Sequence, residues 1–263
     1  LPGPPTLYQS MLAHPKLDEY DLSSLTKATT GAAVIPTELI DSIRNRLGIT
    51  TVLTAYGLSE SCGLATMCRH GDPSATIAST SGRAIPGIEV ACLDSDGRHC
   101  GADEIGEIVI RGFNVMQSYL DNPEATAESI DSAGWLHTGD IGSLDSDGNL
   151  KITDRLKDMY ISGGFNCYPA EIESSLNRHP SIVMSAVIGI PETLMGEVGA
   201  AFIQSADPQL TSDLMYQWCR ANMANYKVPK HFTFVDSLPL NATGKIHKPT
   251  LREIWSQGQS PNM

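Results

Sequence analysis

The sequence predicts an α/β region followed by an α+β region, on three observations. Near the start, a strand-like run, an amphipathic helical pattern and a second strand-like run follow one another, which is the order typical of parallel strands. From 82 to 155, short apolar runs alternate with turns such as DSDG at 94–97, which favours a small antiparallel sheet or barrel. Beyond 157, strand and helix patterns alternate as in an α+β domain. We therefore place a domain boundary between 156 and 157.

The individual elements follow from local patterns. The predicted helix at 36–47 carries Pro36 in its first turn, where proline is tolerated. The predicted strand at 51–55 ends before Gly57. Ile172 and Leu176 lie four residues apart, which is the spacing of one helix face. Helices are predicted at 6–13, 36–47, 169–178, 210–223 and 249–255; strands are predicted at 25–30, 51–55, 88–93, 104–111, 150–154, 159–161, 181–190, 199–204 and 231–235, with a glycine loop at 162–164.

Composition excludes several classes of function. The chain has 263 residues, of which 41% are hydrophobic and 18% charged, as in a soluble globular protein. The net charge of −12 argues against binding nucleic acid or anionic membrane, because phosphate backbones need clustered Lys and Arg. No apolar run is long enough to span a membrane, and no signal peptide opens the chain. The six cysteines form no C-x-x-C pair or zinc spacing, so we expect free thiols and a cytoplasmic location.

Residues 54–60 (TAYGLSE) end a predicted strand, where ligand groups of open α/β sheets tend to lie. There, Tyr56 can stack on a purine, Ser59 can donate to a phosphate, and the Glu60 carboxylate can hold Mg²⁺. Taken alone, the segment is more simply a turn with a buried tyrosine and a helix-capping serine.

Residues 134–140 (GWLHTGD) place Asp140 directly after a glycine turn. An acidic residue in that position can accept hydrogen bonds from both hydroxyls of a ribose. The simpler alternative is a hairpin turn in which Asp140 bonds its own backbone.

Two later segments complete the set of four candidate site segments. Charged residues crowd 154–158 (DRLKD), and Gly163 and Gly164 follow, where backbone can approach a ligand closely. The alternative is an exposed linker and a glycine-rich turn. In 238–246 (LPLNATGKI), Lys245 can act as a mobile cation for an anionic transition state, although most lysines are merely solvated. By contrast, 145–149 (DSDGN) is predicted to be a turn, because Leu150 occupies the position where a calcium loop needs glycine.

Together and in this order, the four segments resemble the adenylate-forming (AMP-binding) superfamily of acyl-CoA synthetases, luciferases and peptide-synthetase adenylation domains. The resemblance runs from Pro5 to Trp255, and 154–173 is its most diagnostic part. It implies that residues 1–156 are the C-terminal part of a large AMP-binding domain, an α/β piece plus a small β-barrel. Residues 157–263 would be the small, mobile C-terminal lid domain.

The resemblance also implies a reaction and its cofactors. A carboxylic acid would attack the α-phosphate of ATP, with Mg²⁺ present, and coenzyme A would then displace AMP to give a thioester. The implied residues are Gly31, Ala32 and Ala33 beside the adenine; Tyr56 stacked on it, next to Gly57; Ser59 on the α-phosphate; Glu60 on Mg²⁺; Asp140 on the ribose with help from Arg155; Lys245 between carboxylate and phosphate; Lys157 at the hinge; and Gly163 and Gly164 along the pantetheine tunnel.

One family feature is absent. The Ser-, Thr- and Gly-rich phosphate loop, whose backbone amides cradle the β- and γ-phosphates, would lie well before Gly31. We therefore expect a truncated form of a longer ligase.

The sequence leaves alternatives open for the carboxylic acid substrate and for the acceptor of the acyl group. Residues 1–9 (LPGPPTLYQ), 115–117 (VMQ) and 163–166 (GGFN) resemble bacterial ligases of steroid-ring degradation, which act on an indane-dione propionate, and medium-chain fatty acyl-CoA ligases share much of this pattern. One alternative is an adenylation domain that loads a carrier protein; the 18 residues after Lys245 hold no carrier domain, which disfavours this alternative and leaves only a free-standing form of it. Another is a non-catalytic nucleotide-binding fragment. A homo-oligomer is also left open.

Overall fold

The computed structural model describes residues 1–30, 35–241 and 245–258. The chain divides into two compact units, Leu1–Ile152 and Thr153–Met263. The expectations for Gly31, Ala32 and Ala33, and for residues 242–244 of the lysine motif, lie outside the described residues.

The first unit combines a parallel pair of strands with an antiparallel sheet. Strands β1 and β2 are parallel, with Lys27 opposite Thr51, as the sequence predicted. Two sheets run in the orders β1-β2-β3-β4 and β5-β6-β7-β8. The elements are α1 (Pro5–Leu12), β1 (Lys27–Thr30), α2 (Thr37–Arg46), β2 (Thr51–Tyr56), β3 (Thr66–Met67), α3 (Ser74–Ser79), β4 (Arg83–Ala84), β5 (Ile88–Leu93), β6 (Gly106–Gly112), α4 (Pro123–Ser129), β7 (Leu136–Leu144) and β8 (Leu150–Arg155), the last of which crosses into the second unit.

Helix α2 forms because its apolar residues share one face. Leu39, Ile40 and Ile43 recur at helical spacing and are all buried in one cluster with Val52 of β2. Each such burial contributes about 1.5–3 kcal/mol. This packing holds β2, and therefore the loop that follows it, in place.

Several elements were not predicted. The alternative in which Asp140 lies in a hairpin turn is wrong, because Asp140 lies inside strand β7 (Leu136–Leu144), which contains a bulge. None of the residues of helix α4 is buried, and its sequence therefore carries no apolar pattern from which the helix could be predicted. Its N-cap is Asn122, whose side chain accepts from the Ala125 amide at 3.0 Å.

The second unit is a mixed sheet with helices on both faces. Strands run in the order β10-β9-β12-β11, and β13 pairs in parallel with β12. The elements are β9 (Tyr160–Ser162), β10 (Phe165–Cys167), α5 (Pro169–Leu176), β11 (Ile182–Glu192), β12 (Gly196–Ser205), α6 (Ser212–Asn222), β13 (His231–Phe234) and α7 (Lys248–Ser256).

Alternate residues of the long β11–β12 hairpin supply two cores. Val187 packs in the cluster that holds residues of α5 and α6, whereas its neighbours Ala186 and Ile188 pack with Leu251 of α7. Both strands are therefore buried on both faces, which explains their nearly continuous apolar sequence.

In the described parts of the chain, no helix combines the length and apolar character needed to cross a membrane.

Candidate functional site

The end of β2 and the bulge of β7 bring two sequence motifs together. Tyr56, the last residue of β2, is 8% exposed, and its hydroxyl donates to Oδ2 of Asp140 at 2.7 Å. The two residues are 84 positions apart in the chain. The aromatic side chain and the carboxylate that the sequence suggested for a nucleoside therefore meet at one place.

The loop after β2 is held by close backbone packing. A Cβ on Gly57 would lie 2.4 Å from the Gly63 carbonyl, so glycine is required there by the loop itself. Residues Ser59–Ser61 form a single 3-10 turn, in which Ser59 is exposed. The capping serine is Ser61, whose Oγ accepts from the Leu58 amide at 3.1 Å. The Ser59 hydroxyl is thus presented to solvent beside Glu60.

Glu60 is anchored by residues that sequence reasoning missed. Its Oε1 accepts from the Tyr119 hydroxyl at 2.8 Å, and its backbone carbonyl accepts from the Met116 amide at 2.7 Å. Asn114 is buried and donates to the carbonyls of Ser61 and Leu64. The bond to the Glu60 carboxylate raises the pKa of Tyr119. No local pattern signals these contacts, because they join residues that lie 50 or more positions apart in the chain.

Glu60 fits the role of a single magnesium ligand. A carboxylate oxygen suits Mg²⁺, which is usually held by one or two carboxylates together with substrate phosphates. Among the residues that the structure describes, no group of three His, Cys, Asp or Glu side chains could hold a metal ion on its own.

Asp140 lies inside a β-bulge. Gly139 before it has φ +68°, a conformation that favours glycine. The Asp140 amide donates to Thr138 Oγ1 at 3.1 Å, and that hydroxyl donates to the Ile108 carbonyl at 2.7 Å. The bulge thus has its own hydrogen bonds, and they turn Asp140 out of the regular strand.

In the second unit, the segment around Lys157 is fixed at both ends. Asp154 is buried, and its Oδ2 accepts from the Ala170 amide at 2.6 Å, at the start of α5. Burial raises the pKa of Asp154. Asp158 Oδ1 accepts from Arg252 at 2.9 Å. Lys157 lies between these anchors in the 3-10 turn Leu156–Asp158 and is exposed, as is Arg155.

Gly163 and Gly164 form the two-residue turn of the β9–β10 hairpin. Their φ angles are +56° and +84°, which is the pattern of a turn that needs glycine. A Cβ on Gly163 would lie 2.5 Å from Met195 Cε, whereas no atom lies within 4 Å of a Cβ on Gly164. A side chain at 164 would therefore point into open space.

Lys245 is exposed, and its backbone is well fixed. Its amide donates to Asn241 Oδ1 at 2.9 Å, and its carbonyl accepts from the Asn241 amide at 2.8 Å. Leu240 and Ile246 bridge beside this pair. Within the described ranges, no ion pair includes Lys245.

Two family models match the chain. The model of the AMP-binding enzyme matches residues 1–120, and that of the AMP-binding enzyme C-terminal domain matches residues 171–245. The chain belongs to the family of AMP-binding enzymes. The mixed α/β fold, with its parallel pair, its small antiparallel sheet and its α+β second unit, agrees with that family.

Curated relatives are CoA ligases. The chain is 52% identical over 255 residues to a propanoyl:CoA ligase of Rhodococcus jostii whose acyl group carries a 7a-methyl-1,5-dioxo-octahydro-1H-inden-4-yl substituent, covering 96% of this chain and 47% of the relative. A ligase of the same name from Mycobacterium tuberculosis is 50% identical, with 97% and 48% covered. A feruloyl-CoA synthase of an Amycolatopsis species is 41% identical, with 95% and 50% covered. The chain thus spans about half the length of these relatives.

Two solved structures of similar proteins have the same fold as this chain. ATP-bound MatB from Rhodopseudomonas palustris superimposes with a TM-score of 0.83 at 31% identity, covering 98% of this chain and 51% of that one. The o-succinylbenzoate CoA synthetase MenE from Bacillus subtilis, in complex with its acyl-adenylate intermediate, gives 0.81 at 32%, covering 95% and 50%.

Proposed function

We propose that this chain supplies part of an ATP-dependent acid–thiol ligase. In the first half-reaction, a carboxylate oxygen attacks the α-phosphorus of ATP, the bond to the β-phosphate breaks, and acyl-adenylate and pyrophosphate result. In the second, the coenzyme A sulfur attacks the acyl carbon, AMP leaves, and the thiol proton passes to solvent. The observation that carries the proposal is the Tyr56–Asp140 hydrogen bond in a chain of the AMP-binding family.

The first unit would hold the nucleoside. Tyr56 and Gly57 would lie against the adenine with Gly31, Ala32 and Ala33, and Ser59 would donate to the α-phosphate. Asp140 would accept from the ribose hydroxyls with help from Arg155. The Tyr56 bond supports this assignment, because it fixes the direction of the Asp140 carboxylate before any ligand arrives.

Lys245 would bring two anions together. The attacking carboxylate and the α-phosphate repel one another, and negative charge grows on the phosphate during attack. An exposed ammonium on a fixed backbone suits this role. Glu60 would hold Mg²⁺, which neutralises phosphate charge when it is bound.

The second half-reaction would use the other motifs of the second unit. We propose that residues 157–263 act as a lid that moves about Lys157, which is exposed in the 3-10 turn Leu156–Asp158. Gly163 and Gly164 would then line the path of the pantetheine arm. The open space at Gly164 supports this, since an added side chain meets no other part of the chain.

The acid would be a propanoate that carries an indane-dione ring system. The relatives at 50–52% identity are named for that acyl group, while those named for feruloyl, long-chain fatty acyl or medium-chain acyl groups are 38–41% identical. An aromatic or fatty acid would be the alternative substrate.

The test is acid-dependent pyrophosphate exchange and thioester formation by this chain fused to the remaining half of the Rhodococcus jostii ligase. The indane-dione propionate should support both steps better than ferulate or a fatty acid. Adenylation followed by transfer only to a carrier-protein thiol would favour the loading domain. If the fusion folds but shows no nucleotide-dependent chemistry, the alternative of a non-catalytic nucleotide-binding fragment would be favoured.

A further inference from the structure

The register between β6 and β7 changes where Asp140 lies. Glu107 pairs with Ile141, and Val109 pairs with His137. Only Ile108 lies between the partners on β6, whereas residues 138–140 lie between them on β7. The extra residues must leave the regular ladder, so other bonds have to hold them.

The side chain of Glu107 supplies two of those bonds. Its Oε1 accepts from the Gly139 amide at 3.1 Å, and its Oε2 lies 2.8 Å from His137 Nδ1. The side chain is 21% exposed, so these bonds to an anionic acceptor are partly shielded from water. His137 Nε2 in turn lies 3.8 Å from Asp131 Oδ2. One carboxylate therefore fastens the residue at the start of the bulge and the residue just before Asp140.

We infer that Glu107 is a positioning residue for Asp140, acting through the Gly139 amide and His137. The inference rests on the proposed function, since it takes Asp140 as the group that binds a ribose. Tyr56 fixes Asp140 through its side chain, and Glu107 fixes the same residue through its backbone. The direction of the carboxylate then depends on both contacts.

Two substitutions separate this role from a general loss of structure. Glu107→Ala leaves the Gly139 amide and His137 without their acceptor. Glu107→Gln keeps an acceptor oxygen for Gly139 and offers an amide N–H to His137 Nδ1 when the imidazole carries its proton on Nε2. Glu89→Ala is the matched control, because it removes the same charge from the same sheet but breaks a pair with Arg111 and none of the bonds of the bulge.

The first measurement is calorimetric titration of AMP and of 2′,3′-dideoxy-AMP into the full chain. Glu107→Ala should weaken AMP binding by about tenfold, as expected for one charge-assisted hydrogen bond, and leave dideoxy-AMP binding unchanged. Glu107→Gln should recover most of the loss, and Glu89→Ala should bind as wild type does. Equal losses for both ligands, or no loss, would overturn the inference.

The second measurement needs no ligand. Amide hydrogen exchange at Gly139 and Asp140 should become faster in Glu107→Ala than in wild type, Glu107→Gln or Glu89→Ala. Unchanged exchange would overturn the role of Glu107 in holding the bulge. Failure of the wild-type chain to bind AMP would overturn the nucleotide site and the ribose part of the inference, while the exchange result would still decide the structural part.

Discussion

The candidate residues of the two units differ in how they are held. In Leu1–Ile152, Tyr56, Glu60 and Asp140 have side chains bonded to neighbours in the same unit. In Thr153–Met263, Lys157 and Lys245 are exposed, and the bonds that fix them are made by their backbone or by flanking carboxylates. The difference suggests two kinds of function. Pre-organised groups suit a nucleoside that binds in one pose, and exposed groups on fixed backbone suit a step in which the group approaches its target.

Replacement of Lys245 is the strongest test of the exposed candidate residues in the second unit. In the fused ligase, Lys245→Ala should lower acid-dependent pyrophosphate exchange at least about 100-fold, because a cation on the transferring phosphate is lost. Thioester formation from supplied acyl-adenylate should be nearly unchanged. Lys151→Ala, which removes an exposed lysine outside the motif, is the control. Normal rates in both half-reactions would remove Lys245 from the chemistry.

A side chain at 164 should have the reverse effect. Gly164→Leu should slow CoA transfer about tenfold or more and spare adenylation, since the leucine would fill the proposed pantetheine path. Its positive φ adds a strain of about 1–2 kcal/mol.

The control for that strain is Gly258→Leu. Gly258 has φ +63° in the same unit, and a Cβ there also meets no atom within 4 Å. Both variants should lose similar amounts of unfolding free energy in denaturant titrations. If they slow CoA transfer equally, the effect is strain and the tunnel assignment is wrong.

Tyr119→Phe should have a smaller effect, and it tests the pre-organised residues of the first unit. Loss of the hydroxyl frees the Glu60 carboxylate from its neighbour, so nucleotide titrations should need a few-fold more Mg²⁺ to reach the same affinity. The raised pKa of Tyr119 means that the phenol donates this bond throughout the neutral range and loses it only as pH rises through that raised value. Unchanged Mg²⁺ dependence would show that Tyr119 does not position Glu60.

Thiol labelling should separate exposed from buried cysteines. At mildly alkaline pH, Cys62 in the loop after Glu60 should react first, because it is exposed. Burial raises the pKa of Cys219 in the second unit to about 12, and that of Cys92 to about 11, so their thiolates are scarce. Mass spectrometry of the first labelled peptide decides this. Early labelling of Cys219 would contradict the packing of α6.

The sequence predicted elements with strong periodicity and missed those without it. Helix α2 and the β11–β12 hairpin follow from their apolar patterns. The bulge in β7 did not, because one residue of β6 opposite three residues of β7 is a property of strand pairing. Tyr56, Glu60 and Asp140 were recognisable as motif residues. Their supporting contacts from Asn114, Tyr119 and Glu107 were not, since each depends on tertiary proximity.

The most direct test of the account is titration of AMP with Mg²⁺ into the wild-type chain and into Asp140→Ala, with circular dichroism to show that both are folded. The account predicts saturable binding of one AMP per wild-type chain, and a loss of at least about tenfold in affinity in the variant. Equal binding by the two proteins, or no binding by a folded wild-type chain, would contradict the claim that Tyr56 and Asp140 form a nucleoside site.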